Sequence, residues 1–223
     1  MTERQARNIF LKYNPPSDVT RCPNGRTAAR TLLDTYAYAA ANLYGIIPTS
    51  ELIDIYNRQN ADQTSADELY SLLLPLVIKR KRYCFYKDCI VHKEVMGDFD
   101  FAKHLLGEQD GKPRYIPEKD ELIKYGDKYY ESEPQTAHWN NLLDFIGSTW
   151  ADNRLWYRFY NEIRGAAVGV ADVGEISGLL EACGLVFGDD EQEKVFFVLL
   201  SEAYNNTRLW SNKGHSPKEL REI

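Results

Sequence analysis

Four consecutive basic residues are the strongest chemical signal in this chain of 223 residues. A run of Lys and Arg on one surface can contact nucleic-acid phosphates, which gives salt-dependent affinity without reading the bases. A further lysine in the following turn and three upstream arginines extend this surface. The predicted contacts to duplex DNA or RNA are Lys79, Arg80, Lys81, Arg82, Lys87, Arg21, Arg26 and Arg30.

Each of these cations also has a simpler explanation. Cations at the C-terminal end of a helix are favoured by the helix dipole. Arginines beside the Cys22-Pro23 turn can fix an arm to its own domain through carbonyls and carboxylates. In addition, Asp67 and Glu68 stand in the first turn of the helix that ends in the basic run, where they would repel phosphate. Both interpretations stay open at this point.

Aromatic side chains indicate a second kind of contact. Tyr and Trp are enriched in protein interfaces, and Tyr129 and Tyr130, beside Glu131 and Glu133, are the predicted interface residues. A helical spacing instead predicts a core role for Trp156, Phe159, Tyr160 and Ile163.

A metal site could be built from Cys84, Cys89 and His92. Structural zinc sites usually show two closely spaced ligand pairs, and no second pair exists here. We therefore predict reduced thiols, with Cys84 and Cys89 buried, and no metal or other cofactor.

Catalytic motifs are absent from the sequence. It contains neither a G-x-x-x-x-G-K-[ST] loop, a G-x-G-x-x-G fingerprint nor an H-E-x-x-H pair. The four histidines have no spacing that specifies catalysis, and His215 fits a turn or capping role beside Ser216. The expectation is a protein that is not an enzyme.

Charge is unevenly distributed behind the net value of -6. Residues 1–94 hold 13 Lys and Arg against 10 Asp and Glu, whereas residues 95–223 hold 14 against 23. An acidic half of this kind could meet a protein partner with a basic surface. No stretch approaches the roughly 20 apolar residues that cross a bilayer, so we expect a cytoplasmic protein without a membrane partner.

The order of elements in residues 28–96 predicts a winged helix. A helical pattern to Tyr44 is stopped by Gly45, and Ile46-Ile47 forms a short bridge to a helix after Thr49. Ser65 and Glu68 have the spacing of a capping box that opens a third helix. Two β-rich segments flanking Lys87-Asp88 then predict a hairpin.

The remaining sequence is predicted to be helical. Residues 1–27 form a short helix, Arg4 to Tyr13, and an arm, and residues 97–137 form a connector. Residues 138–223 read as an all-α bundle. The fold class is therefore mainly α with one small β-hairpin, a winged-helix-like N-terminal half and a helical bundle.

Four sequence blocks carry a family resemblance. These are YNPPSDVTRCPNGR, NLYGIIPTSELIDIYN, GKPRYIPEKDELIKYGDKYY and NNTRLWSNKGHSPKEL. They resemble an uncharacterised family of Gram-positive bacterial and phage-type proteins, in which the last block is sometimes followed by a SEC-C zinc motif. No cysteine follows Cys183 here, so the resemblance implies the order of elements but neither the zinc motif nor an activity.

Two functions follow from these observations. The leading hypothesis is nucleic-acid binding through the winged-helix-like half, with the acidic helices contacting protein. The alternative is a protein-interaction module or inhibitor of a phage or mobile-element kind, in which the winged helix is a scaffold. The sequence specifies neither the partner nor the oligomeric state.

Overall fold

The computed structural model describes residues 25–80, 82–127, 133–169 and 173–223. The predicted N-terminal helix lies outside these ranges. Within them, the parts of Met1–Asp110 and Ile116–Tyr130 form one compact unit, and the parts of Gly111–Tyr115 and Glu131–Ile223 form a second.

The first unit is mainly helical, with one small sheet. Its elements are α1 (Thr27–Tyr44), β1 (Ile46–Pro48), α2 (Thr49–Gln59), α3 (Ala66–Arg80), β2 (Tyr83–Tyr86), β3 (Cys89–His92), a 3₁₀ turn (Val95–Gly97), α4 (Phe99–Gln109) and α5 (Lys119–Lys124). The prediction of a mainly α chain with a small β element is confirmed.

The sheet is antiparallel and has three strands in the order β1-β3-β2. Its hairpin pairs Tyr83 with His92, and the bridge at Ile46 pairs with Val91 as a third strand. Gly45 ends α1 with a φ of 68°, and its N–H donates to the carbonyl of Ala41. That left-handed φ suits glycine, which turns the chain directly from α1 into the sheet.

Helix α1 is the centre of the first unit because its small side chains let neighbouring elements approach closely. Ala37, Ala40 and Ala41 are fully buried, and α1 packs against α2, α3, α5 and the sheet. The amide of Asn42 donates to the carbonyl of Tyr125 at 2.7 Å. The segment 97–137, expected to connect two domains, thus supplies α4 and α5 to this unit.

The second unit is all helical within its described residues. Its elements are α6 (Glu133–Thr149), α7 (Trp156–Gly169), α8 (Val173–Ala182), α9 (Asp190–Asn205), a 3₁₀ turn (Trp210–Asn212) and α10 (Pro217–Glu222). Aromatic side chains fill its core, and their polar atoms are hydrogen-bonded. The indole of Trp139 donates to the Thr207 hydroxyl, and that of Trp150 donates to the carbonyl of Val186, both at 2.9 Å.

Segment 111–115 is bound to the C-terminal part of this unit. The guanidinium of Arg208 lies 3.5 Å from the centre of the Tyr115 ring and donates to the Glu219 carboxylate at 2.8 Å. Ser216 and Glu219 form the predicted capping box at the start of α10. His215, for which a turn or capping role was predicted, is buried and its ring packs against that of Tyr115.

Among the described helices, none combines the length and the apolar character that crossing a membrane requires.

Candidate macromolecule-binding surfaces

In the basic run at the end of α3, Arg80 is bound to a carboxylate of its own unit. Arg80 forms an ion pair with Asp34, whose side chain is 6% exposed. The second oxygen of the same carboxylate accepts a hydrogen bond from the Tyr83 hydroxyl at 2.9 Å. Lys79, Arg80 and Arg82 are all exposed, Arg80 with 47% of its side chain accessible, and Lys81 lies outside the described residues. Arg80 therefore compensates a buried charge of its own domain, which limits its availability to a phosphate.

Burial of this cluster also changes the acidity of its phenol. The pKa of Tyr83 is raised well above the usual value, first by burial and then by the neighbouring Asp34 carboxylate. Tyr83 therefore stays protonated and can donate to Asp34 at any physiological pH. The cluster joins α1, the end of α3 and the first strand of the hairpin.

Two cations of the hairpin lie over tyrosine rings. Arg82 is 5.2 Å from the centre of the Tyr38 ring, and the ammonium of Lys87 is 5.4 Å from that of Tyr86. Such contacts restrict long side chains without neutralising them. Exposed Lys93 directly follows His92, the last paired residue of β3, and is a candidate that the sequence analysis did not name. Its place at the end of the predicted β-rich segment could have revealed it.

Arg26 is bound within the first unit. It donates to Glu68 at 2.6 Å and to Asp62 at 2.7 Å, and these hydrogen bonds, that to Glu68 first, raise its pKa. Glu68 is thereby diverted from the reciprocal half of the predicted capping box, although the Ser65 hydroxyl does accept from its N–H at 3.4 Å. Arg30 is half-buried on α1, and Arg21 lies outside the described residues. For Arg26, the contacts are those of a residue that fixes its own domain.

The outward face of α3 has few groups that could read bases. Asp67, Ser71, Leu74 and Ile78 follow one another along this face. Bases are usually read in the major groove by Arg, Lys, Asn or Gln, and Ser71 already donates to the carbonyl of Glu68. Ile78 is 49% exposed. This face therefore presents an acidic group and apolar groups rather than donors to base edges.

Of the three possible metal ligands in the hairpin, Cys84 and Cys89 lie on one face of the sheet and His92 lies on the other. Residues paired across strands share a face, and alternate residues of a strand switch faces. His92 pairs with Tyr83, whereas Cys84 pairs with Val91 and Cys89 with Tyr86. Within the described residues, no three His, Cys, Asp or Glu side chains are grouped to hold a metal ion.

Cys84, Cys89 and His92 differ in their burial within the hairpin. Cys84 and Cys89, which form no disulfide in the described part of the chain, have intermediate exposure rather than the burial that was predicted. Burial raises the pKa of Cys84 and lowers that of His92. The Nδ1 atom of His92 accepts from the N–H of Glu94 at 3.3 Å.

The predicted tyrosine interface falls largely outside the described residues. Tyr129, Tyr130 and Glu131 lie outside the described residues, and Glu133 begins α6. In the predicted aromatic core, Phe159, Tyr160 and Ile163 are buried and Trp156 is half-buried.

The second unit exposes apolar side chains of its own. Those in its described residues are Leu155, Tyr157, Val186, Val195, Val198 and Ile223. Val195 and Val198 share the outward face of α9, a helix whose first turn holds Asp190, Glu191 and Glu193. An acidic helix with exposed valines is suited to a partner that offers both cations and apolar groups.

Comparison of the chain with protein-family models, with curated proteins and with solved structures found no match in any of the three.

Proposed function

We propose that this protein is a non-enzymatic protein-interaction module in which a winged-helix-like unit is the scaffold and the acidic helical unit binds a partner with a basic surface. The winged-helix interpretation is supported by the order helix, strand, two helices and hairpin, with the strands arranged β1-β3-β2. Winged helices recognise DNA in many proteins, but the scaffold alone does not determine the ligand.

The outward face of α3 is the observation that carries this choice. It presents Asp67, Leu74 and Ile78 where a DNA-reading helix would present donors to bases. Two of the eight predicted contact residues, Arg26 and Arg80, are engaged with carboxylates of the same unit. These ion pairs make Arg26 and Arg80 less available to a duplex.

Charge supports the assignment of the binding role to the second unit. Residues 131–223 contain 15 Asp and Glu against 8 Lys and Arg. Two of those eight cations, Arg158 and Arg208, are paired with Glu162 and Glu219 of the same unit. The resulting negative potential would speed association with a basic protein and would weaken with salt.

Affinity capture without cross-linking, under three conditions, tests this function. The tagged protein is expected to retain a protein partner after nuclease treatment and to release it at high salt. Replacing Asp190, Glu191 and Glu193 with the corresponding amides should reduce the yield. Replacing Asp120, Glu121 and Asp127 of the first unit in the same way supplies the control. A partner that disappears with nuclease treatment would overturn the proposal.

Phosphate contact by the hairpin is a second candidate function. It is supported by Arg82 and Lys87, which are exposed and held over tyrosine rings, and by exposed Lys79 close by in sequence. Fluorescence anisotropy with labelled duplex DNA, single-stranded DNA and structured RNA tests it. Binding should fall steeply between low and near-physiological salt and should be abolished by K79E/R82E/K87E. Absence of binding at low salt would exclude this candidate.

A further inference from the structure

An apolar stripe on the outward face of α9 is closed at each end by a carboxylate. Glu191, Val195, Val198 and Glu202 follow at spacings of four, three and four residues, which places them in one line on a helix. Val195 is 36% and Val198 51% exposed, whereas Phe196 is fully buried on the opposite face. These four residues are called the α9 stripe.

The valines of the α9 stripe add little to the fold. Val has a lower helix propensity than Ala, Leu or Lys, and an outward Val loses much of the burial that would offset it. Single exposed apolar residues are common on protein surfaces. Two β-branched residues in one line, with a carboxylate at each end, instead have the composition of a small binding site.

The two carboxylates remain accessible. Glu191 lies 4.0 Å from the ammonium of Lys194, and both side chains are about three-quarters exposed, at 76% and 74%. An exposed ion pair of this kind contributes little to stability, so a cation of a partner can replace Lys194 at small cost. Glu202 is 53% exposed and lies 3.8 Å from Nδ1 of His138. Each carboxylate can therefore accept a further cation.

The charges of the stripe oppose its pairing with the same stripe of a second copy of this chain. In an antiparallel contact, Glu191 of one copy would meet Glu202 of the other, and in a parallel contact each Glu would meet its own equivalent. Like charges across an interface oppose association. The occupant must instead carry cations at both ends of an apolar centre.

We propose that the α9 stripe binds a basic amphipathic helix of a protein partner, which would place two Lys or Arg residues against Glu191 and Glu202 and two apolar residues against the valines. A separation of eleven positions along a helix corresponds to about 16 Å. The symmetric spacing allows the partner helix to lie in either direction. This inference rests on the proposed function, because it names the docking site for the basic partner.

A designed peptide supplies a direct test. The probe is a helical peptide with Lys at positions i and i+11 and Leu at i+4 and i+7 in an Ala and Gln background, and its scrambled version has the same composition. Isothermal titration calorimetry measures binding to the full chain. We expect the designed peptide to bind at least about fivefold more tightly than the scrambled one, a difference of about 1 kcal/mol.

Matched variants locate the contact. V195T/V198T and E191Q/E202Q should each weaken binding at least about fivefold, whereas V186T and D152N/E181Q, at exposed positions outside the stripe, should leave it unchanged. Circular dichroism checks that each variant stays folded. Equal affinity for the two peptides, or an equal loss of affinity in the stripe and control variants, would contradict binding at the α9 stripe. Either result would still be compatible with a function that depends on charge alone. Absence of any peptide binding at low salt, together with failed partner capture, would remove both.

Discussion

Asp34 on α1 and Arg80 at the end of α3 form an ion pair between positions 46 residues apart. The Tyr83 hydroxyl occupies the other oxygen of the same carboxylate. Because Asp34 is almost fully buried, its charge would be costly without these partners. The pair therefore fixes the end of α3 against α1 and sets the point at which the hairpin begins.

Replacing Asp34 with Asn should destabilise the first unit by about 2 kcal/mol, since the ion pair is lost while a hydrogen bond to Tyr83 can persist. All four tryptophans lie in the second unit, so their fluorescence does not report this change directly. Urea unfolding followed by far-ultraviolet circular dichroism is the suitable measurement. D54N, at an exposed position of α2, is the control, and equal midpoints for the two variants would contradict a structural role for the pair.

Replacing Lys87 with Gly should have opposite effects on the stability of the hairpin and on its binding of nucleic acid. Lys87 has a φ of 51°, a conformation that costs a non-glycine residue roughly 1 kcal/mol. K87G should therefore raise the free energy of unfolding by about 0.5 to 1 kcal/mol. If the hairpin contacts phosphate, the same variant should weaken nucleic-acid binding. The slope of the logarithm of the binding constant against the logarithm of the salt concentration should then become shallower by about one.

Two further measurements decide the outcome for Lys87. K87A removes the same charge without relieving the backbone, so it should reproduce the binding loss but not the gain in stability. A K87G protein with a lower urea midpoint than the natural one would show that this backbone conformation is not strained.

Replacing Arg208 with Lys should destabilise the second unit by about 1 to 2 kcal/mol. Arg208 stacks on Tyr115 and donates to both Glu219 and the carbonyl of Gly214, and Lys has neither the planar group nor the matching donors. Tryptophan fluorescence during urea unfolding reports this unit directly. R154K, at an exposed position, is the control, and no shift relative to that variant would show that the charge alone is sufficient.

Local patterns were sufficient to predict much of the first unit. Turn and β-rich residues located the hairpin at Tyr83–Tyr86 and Cys89–His92, because alternation and turn length are local properties. The role of Arg80 was not predictable in this way, since its partner Asp34 lies on another helix. A run of basic residues has the same appearance whether its members face solvent or a buried carboxylate.

The sequence alone did not predict which residues of α9 face outward. Residues 195–200 form the uninterrupted apolar run VFFVLL, which contains no polar position to mark a face. Which of these residues point outward depends on the packing of α6 against α9, and the aromatic residues at 196 and 197 are buried or partly buried there. Periodicity identifies a face only where polar residues alternate with apolar ones.

Acid should destabilise both units through one histidine in each. Burial lowers the pKa of His92 and of His215, although Glu94 and Glu219 partly oppose the shift while Lys93 and Arg208 reinforce it. The folded protein therefore binds these protons more weakly than the unfolded chain, whose histidines titrate near 6.5. Stability is fully present above that pH and falls as the pH drops towards the folded pKa values.

The pH dependence should separate by unit when single histidines are replaced. H92Q should flatten the decline below pH ~6.5 in the circular dichroism curve and leave the tryptophan fluorescence curve unchanged. H215Q should flatten the fluorescence curve, and each effect should be up to about 1.4 kcal/mol per pH unit. H104Q, at an exposed position of α4, should leave both curves unchanged. If H92Q and H215Q follow the natural protein between pH ~7 and ~5, these two histidines are not the cause of the acid sensitivity.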